Sequence, residues 1–293
     1  MHPKKSVGSW IFDGFNYIFL TLLMFITLYP LLYVLFASFS ESSRLSMFTG
    51  ALWRPLGFST AAYEAVFQYK AIWSGYKNTL FLVIVGTGLN LVFTTVAAYV
   101  LSRKSFLWRK PITLMIIFTM FFNGGLIPTY LLVKSIGLLN SLWACILPGL
   151  VATWNFMIMR TYFVGIPDSL EESAKLDGAN DIIILFRIML PLCGPIIAVM
   201  VLFYGVAHWN QWFNAMIYLQ SPGKFPLQLI LREILLANNT DSLMGNTMDV
   251  NKQQIAETIQ YASIIVSTLP ILCVYPFLQK YFVKGVMIGA VKG

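Results

Sequence analysis

Charge is what this sequence lacks. Asp, Glu, Lys and Arg make up 11% of its 293 residues, where soluble domains carry about 25%. Hydrophobic residues make up 58%, and mean hydropathy is +0.72. A soluble domain of this length has too little polar surface to cover so much apolar material, so lipid is the expected solvent. The uncharged runs are long, and a hydrocarbon core of about 30 Å takes roughly 20 apolar residues in helix. Backbone groups in lipid must pair within the segment, so these runs predict an all-α protein. The alternating pattern of a membrane β-barrel is missing. Cysteine is scarce: Cys145, Cys193 and Cys273 lie in apolar runs, with no disulfide or metal spacing, and read as small core residues. No G-x-x-x-x-G-K-[ST] is present, which excludes a P-loop in this chain. No catalytic residue, cofactor or metal ligand is assigned. His208 stands alone and reads as a satisfied polar residue rather than a ligand. The net charge of +8 is spread along the loops and calls for no nucleic acid partner.

Apolar segments fall at about 15–39, 78–101, 112–132, 141–164, 191–219 and 259–283. They predict six transmembrane helices in a single domain spanning 1–293. Lys4 and Lys5 precede the first run, but that run exceeds the 7–15 residues of a signal-peptide core, so it reads as an uncleaved anchor. Short loops orient a membrane protein most strongly. SRKSFLWRKP carries four basic residues and VKSIGLLN carries one. The first loop, the segment 165–190 and both termini are therefore expected in the cytoplasm. The long loops 40–77 and 220–258 are expected outside. Within the latter, Leu227, Ile230, Leu231, Ile234 and Leu235 follow helical spacing and predict an amphipathic helix.

The segment 165–190 concentrates what charge there is. Pro167 stops the fourth span, Asp168 is placed to cap a new helix, and Glu171 three residues on completes a capping-box-like pair. Leu170, Ser173, Ala174 and Gly178 predict a strip of small residues on one face, flanked by Glu172 and Lys175. Gly178 ends the helix, Asn180 or Asp181 caps the next, and Pro191 marks the start of the fifth span. An ordinary connector of solvated charges fits the pattern too, but a connector needs only a few residues. The length and the small-residue face favour a docking element for a cytoplasmic partner.

Glu172-Ser173-Ala174, Gly178, Ile188 and Leu190-Pro191 resemble the E-A-A-x3-G-x9-I-x-L-P loop of ABC importer permeases, with Ser173 as a small-for-small departure. The resemblance continues along the chain in FDGFNYIFL, FNGGLIPTYLL, PLQLILREIL and YFVKGVMIGAVKG. The chain looks like the maltose-type second permease subunits, more narrowly the LplC/YtcP-like oligosaccharide branch, and it resembles the second permease subunit of alginate importers. The resemblance implies a type I ABC importer permease fold and a place in the bacterial inner membrane. It also implies a second permease subunit, two ATPase subunits that bind ATP and Mg, and an extracytoplasmic solute-binding protein. Glu171, Glu172, Ser173, Ala174 and Gly178 become the candidate ATPase-coupling residues.

Polar groups inside spans are costly and often functional. Asn123 and Tyr130 flank a Gly-Gly-x-x-Pro break in the third span, Trp154 and Asn155 sit in the fourth, and Trp209, Asn210 and Asn214 interrupt the fifth. Amides suit sugar hydroxyls and aromatic faces suit sugar C–H groups, so these are candidates for the substrate path. Interhelical hydrogen bonding and an interfacial aromatic belt would use the same residues. The glycines of GTGLN (86–90) and GGL (124–126) are expected to serve close helix packing. An ion-coupled secondary transporter, the alternative reading, would need ionisable residues inside the spans, and they hold almost none.

Overall fold

The computed structural model describes residues 7–236, 257–274 and 276. The expected spans' last stretch, the 237–256 part of the second long loop and the YFVKGVMIGAVKG segment lie outside the described residues. Among the described residues the chain is all-α, and the β-type contact it has is an isolated bridge between Ser40 and Phe58. It divides into two compact units, Met1–Tyr69 with Glu233–Thr268, and Lys70–Arg232 with Leu269–Gly293.

In the first unit, the helix Val7–Ser38 is apolar on every side and exposed along most of its length, the signature of a span that meets lipid or other helices. Among the described residues, its last turns find a core of their own chain. Ala37 packs with Leu45 and Leu52, joined by Tyr33, Phe36, Leu56 and Tyr261. Hydroxyl contacts of 2.8 Å link Ser38 to Tyr63 and Ser42 to Thr258.

In the second unit, one long helix runs from Lys70 to Ser102. It begins eight residues before the apolar run that predicted it. The extra turns are amphipathic: Ile72 and Gly75 are buried, and a Cβ on Gly75 would lie 2.6 Å from Ile230 Cδ1 and 3.1 Å from Leu227 Cα. The amphipathic helix Leu227–Leu236 forms as expected and comes down on this glycine. Around Leu82–Gly86 the long helix widens into a π turn. A Cβ on Gly86 would sit 2.5 Å from His208 Nε2, so this glycine does the packing expected of it.

Three of the expected spans are broken. The third is two helices, Arg109–Phe121 and Leu126–Ser135, bent by 116°. Gly125 lies between them at φ 91°, where a side chain is strained, and its N–H donates to Asn123 Oδ1 at 2.9 Å. GGL therefore serves a backbone turn, not helix packing; a Cβ on Gly124 meets nothing within 4 Å. The fourth consists of Trp143–Ile146, a 3₁₀ turn Leu147–Gly149 and the helix Thr153–Val164, interrupted at Pro148, which has no N–H to give. The fifth is Gly194–Trp209 followed, after a break, by Phe213–Tyr218. Three helices, Gly8–Ser38, Lys70–Ser102 and Glu257–Val274, are long and apolar enough to cross a membrane alone, and two bent pairs raise that to five. Hydropathy hides such breaks because Gly, Pro and an occasional amide leave an apolar average intact.

Broken backbone at membrane depth must find partners inside the protein. Asn90, fully buried, donates through Nδ2 to Gly149 O at 3.0 Å and Leu150 O at 2.7 Å. The Tyr204 hydroxyl accepts from Ala152 N at 3.2 Å and lies 2.7 Å from Thr94 Oγ1. Gln211 Nε2 donates to Cys145 O at 2.7 Å. His208 joins the set through Nε2, 2.7 Å from Asn90 Oδ1, a satisfied polar residue as expected. Cys145 and Cys193 are buried and Cys273 is exposed, so the core reading fits the first two and not the third.

Asn90→Leu leaves two carbonyls of the fourth-span break without their donor. We expect a loss of about 1–2 kcal/mol, the upper range for hydrogen bonds in membrane proteins, read as a lower thermal midpoint of the purified protein. An unchanged midpoint would mean that those carbonyls have other partners.

Candidate functional site

The acidic segment folds as a helix, Asp168–Leu176, then a turn, then a second helical stretch, Asp181–Leu192. Pro167 holds the N-cap position at φ −58°, ψ 132°, a conformation that leaves the preceding helix. The stop is a Schellman turn. Ala179 N donates to Ala174 O at 2.9 Å and Gly178 N to Lys175 O at 3.0 Å, with Gly178 at φ 81°. Asn180 caps the next stretch, its Oδ1 accepting from Ile183 N at 2.8 Å. The chain then turns by 85° at Cys193, two residues beyond Pro191, into the fifth-span helix.

The expected capping box is not formed. Asp168 is the first helical residue and makes no cap; its carboxylate takes the Lys104 ammonium. Glu171 is buried and accepts from Arg103 Nη1 and, at 2.7 Å, from Lys175 Nζ. Fixed cations outcompete neutral backbone N–H groups because charge-assisted bonds are roughly twice as strong. Arg103 itself is 9% exposed. Its Nη2 donates to Phe163 O at 3.2 Å, its Nε to Ser102 Oγ at 3.0 Å, and its Cζ lies 4.9 Å from the centre of the Tyr99 ring. The Tyr99 ring meets Phe163 edge-on at 5.8 Å. One guanidinium thus joins the end of the long helix, the end of the fourth-span helix and the acidic helix. Arg160 Nε, donating to Leu101 O at 2.9 Å, adds a second tie between the first two.

This anchoring sorts the acidic helix into two faces. Glu171 and Ala174 turn inward, and Ala174 packs in a core with Tyr99, Phe163, Ile184 and Leu185. Ser169, Glu172, Ser173 and Leu176 turn outward at i, i+3, i+4 and i+7. The strip expected from Leu170, Ser173, Ala174 and Gly178 is therefore split, because Ala174 belongs to the chain's own core. The open face carries Leu176 instead, 89% exposed. A large apolar side chain is thus bared beside Glu172 and Ser173.

Burial pushes the Glu171 carboxyl up, but the hydrogen bonds from Lys175 and Arg103 and their positive charges outweigh it, and the net direction is down. The hydrogen bond from Lys104 lowers Asp168, and Glu171 raises Lys175. All three shifts favour the charged forms that hold the helix in place.

The candidate path residues are placed unevenly. Asn123 and Trp154 are exposed, the latter by 61%. Thr153, beside Trp154, lies 3.3 Å from Thr119 through their hydroxyls, which brings that helix start next to the third-span helix. Tyr130 stacks on Tyr218 at 6.4 Å. Asn155 and Trp209 are buried and sit inside the chain's own packing. Asn210 and Asn214 are exposed, and Asn210 Nδ2 donates to Val206 O of its own helix at 3.1 Å. The fifth span does not carry its polar cluster on one continuous helix: His208 and Gln211 turn in to Asn90 and Cys145 O, and Asn210, Trp212 and Asn214 stay outside. Arg103, Asn90 and Tyr204 were missed as functional residues in the sequence. The signal for Arg103 was there, in a four-cation loop and an acid-rich helix on the same expected side.

Residues 92–288 match the family described as "Binding-protein-dependent transport system inner membrane component". The chain is similar to the polygalacturonan/rhamnogalacturonan transport system permease protein YtcP of Bacillus subtilis (strain 168), at 40% identity over 97% of this chain and 99% of that one. It is 41% identical to Protein LplC of the same organism, over 100% and 98%. Among solved structures it resembles a chain of a bacterial ABC transporter involved in the import of the acidic polysaccharide alginate. There the TM-score is 0.87 at 31% identity, covering 96% of this chain and 99% of that one.

Because the Glu171 carboxyl is lowered below its ordinary value of 4.5, the ion pair's contribution is present in full above that value. It is lost as pH falls through the lowered one. Stability should therefore be flat through neutral pH and fall only in acid, and Glu171→Gln should flatten that acid limb. Arg103→Ala strands a buried carboxylate and is expected to cost roughly 3 kcal/mol, the low end for a broken buried pair, since Lys175 remains. Thermal midpoints measured across pH check both. A full-sized acid limb in Glu171→Gln would assign that limb to other groups.

Proposed function

This chain belongs to the family of binding-protein-dependent transport system inner membrane components, and on that premise we propose that it is one of two permease subunits of an ABC importer for oligosaccharides. Its relatives are permeases of sugar transporters, which supports oligosaccharide fragments of polysaccharides as cargo, alginate or pectin-type chains among them. In this reading a second permease completes the pore. Two ATPase subunits carry ATP and Mg, and an extracytoplasmic binding protein delivers the sugar. The chain is a multi-pass protein of the inner membrane, with both termini and the loops at 102–111 and 165–190 in the cytoplasm.

The observation that carries the reading is the anchored acidic helix with an open outer face. A helix tied through Glu171 and Asp168 to Arg103 and Lys104 cannot be displaced without pulling on the long helix. Seating Glu172, Ser173 and Leu176 in an ATPase subunit converts closure of the nucleotide sites into a rigid-body movement of the permease. Gly178 contributes by ending the helix, and its φ makes any substitution there a test of the turn. An ion-coupled carrier acting without an ATPase finds no support among the relatives.

Ser173→Trp tests docking, because Ser173 is exposed on a regular helix. The subunit should still insert, while ATPase association weakens by about tenfold or more, the scale of an interface hot spot. Normal copurification and normal substrate-stimulated ATPase activity would refute the docking face. Topology is tested in a Cys273→Ser background with Ser105→Cys and Ser135→Cys. An impermeant thiol reagent added outside the cell should label the second and spare the first, and the opposite pattern would invert the orientation.

A further inference from the structure

Arg232 has an unusual setting. It extends from the amphipathic helix Leu227–Leu236, whose start is fixed to the beginning of the long helix. Asn78 Nδ2 donates to Gly223 O at 2.9 Å and Phe225 O at 3.0 Å, and Leu227 N donates to Thr79 Oγ1 at 2.9 Å. Leu227, Leu229 and Ile230 are buried, so the start of the helix is held along its inner face. Asn78 and Arg103 are 25 residues apart on or just past one helix, about 37 Å at the α-helical rise. The amphipathic helix therefore lies at the end of the unit opposite the acidic helix.

From this fixed base the guanidinium of Arg232 lies over the ring of Trp212, its Cζ 5.1 Å from the centroid. Trp212 occupies the break of the fifth span, 39% exposed, edge-on to Phe213 at 5.5 Å. Asn210 and Asn214 flank it and are exposed. Among the described residues, no carboxylate pairs with Arg232 and no acceptor takes its N–H groups. Lys224, which is also near this end, is engaged: its Nζ donates to Asn140 O.

We infer that Arg232, seated on Trp212, recognises the carboxylate of an acidic sugar unit, so that the cargo is a uronate-containing oligosaccharide. This rests on the oligosaccharide-import reading and narrows it. A guanidinium held over an aromatic ring and without an acceptor of its own has N–H groups left to take a carboxylate, which an arginine fork can hold bidentately. A uronate offers that carboxylate on a ring whose hydroxyls suit the exposed amides of Asn210 and Asn214. A neutral sugar leaves the fork unpaired, and stacking on Trp212 recovers only part of what solvent or an anion would give.

The test uses the complete transporter, with its partner permease, ATPase and binding protein, in proteoliposomes. Uptake of trigalacturonate and of its methyl ester is measured in Arg232→Gln, Arg232→Lys and the unsubstituted protein, each ligand being referred to the unsubstituted rate so that delivery by the binding protein cancels. Arg232→Gln should lower trigalacturonate uptake by about tenfold or more, the scale of a charged hydrogen bond, at unchanged complex yield. Arg232→Lys should fall between, and the ester should be unaffected. Unchanged trigalacturonate uptake in Arg232→Gln would overturn the inference. So would a parallel loss for both ligands, a loss of complex yield, or an unsubstituted transporter that carries maltotriose but neither form of galacturonate. A correctly assembled complex that carries no oligosaccharide at all would instead overturn the import reading itself.

Discussion

A carboxylate and a guanidinium taken out of water together, Glu171 and Arg103, decide how the rest of the second unit can behave. Removing both charges from solvent costs several kcal/mol, and the pair repays that only if geometry and further hydrogen bonds are good. Here they are: Arg103 is also held by Ser102, Phe163 O and the Tyr99 ring, and Glu171 also takes Lys175. Such a pair contributes little to net stability compared with an apolar substitute. What it fixes is register. The acidic helix has one position relative to the long helix in which neither charge is stranded, and sliding it by a turn would part Glu171 from Arg103 and Asp168 from Lys104 together.

The second constraint is the dry surroundings of the broken helices. The π turn at Leu82–Gly86, the 3₁₀ break before Thr153 and the gap after Trp209 each weaken a helix. Through side chains they meet. Gly86 touches the His208 ring, Asn90 holds Gly149 O and Leu150 O while facing His208, and Gln211 reaches back to Cys145 O. Each break is tolerable because the residues beside another break satisfy it.

The all-α class, the approximate placing of the spans and the amphipathic helix were legible in composition and periodicity, because burial in lipid selects residues by their average polarity. The helix–turn–helix of the acidic segment was legible too, through Pro167, Gly178 and Asn180, whose backbone preferences are local. What was not legible depends on partners distant in sequence. Ala174 reads as docking surface until the core around Tyr99 and Phe163 is seen to cover it. Asp168 and Glu171 read as caps until Lys104 and Arg103, 64 and 68 residues away, claim them. Asn90 is an isolated amide in an apolar run, and nothing nearby in sequence says that the carbonyls it serves are 59 and 60 residues on.

These two constraints together divide the long helix by stiffness. From Thr87 to Ser102 it packs along Thr153–Val164 and Gly194–Trp209, and Arg103 extends that block to the acidic helix. Before Thr87 lies the π turn, where the i→i+5 pattern spaces the backbone bonds more loosely. Displacement of the acidic helix by a partner would therefore be transmitted without loss through the block, since close-packed interiors shift as units rather than deform. Bending would collect at the level of Gly86, Gly149 and Asn210, where all three helices are already interrupted. Beyond that level the start of the long helix carries Leu227–Leu236, and with it Arg232. Movement imposed at one end by the Glu171 anchor would in this way change the angle at which the other end presents its cation, the geometry a transporter needs if one subunit is to hold a ligand and then release it.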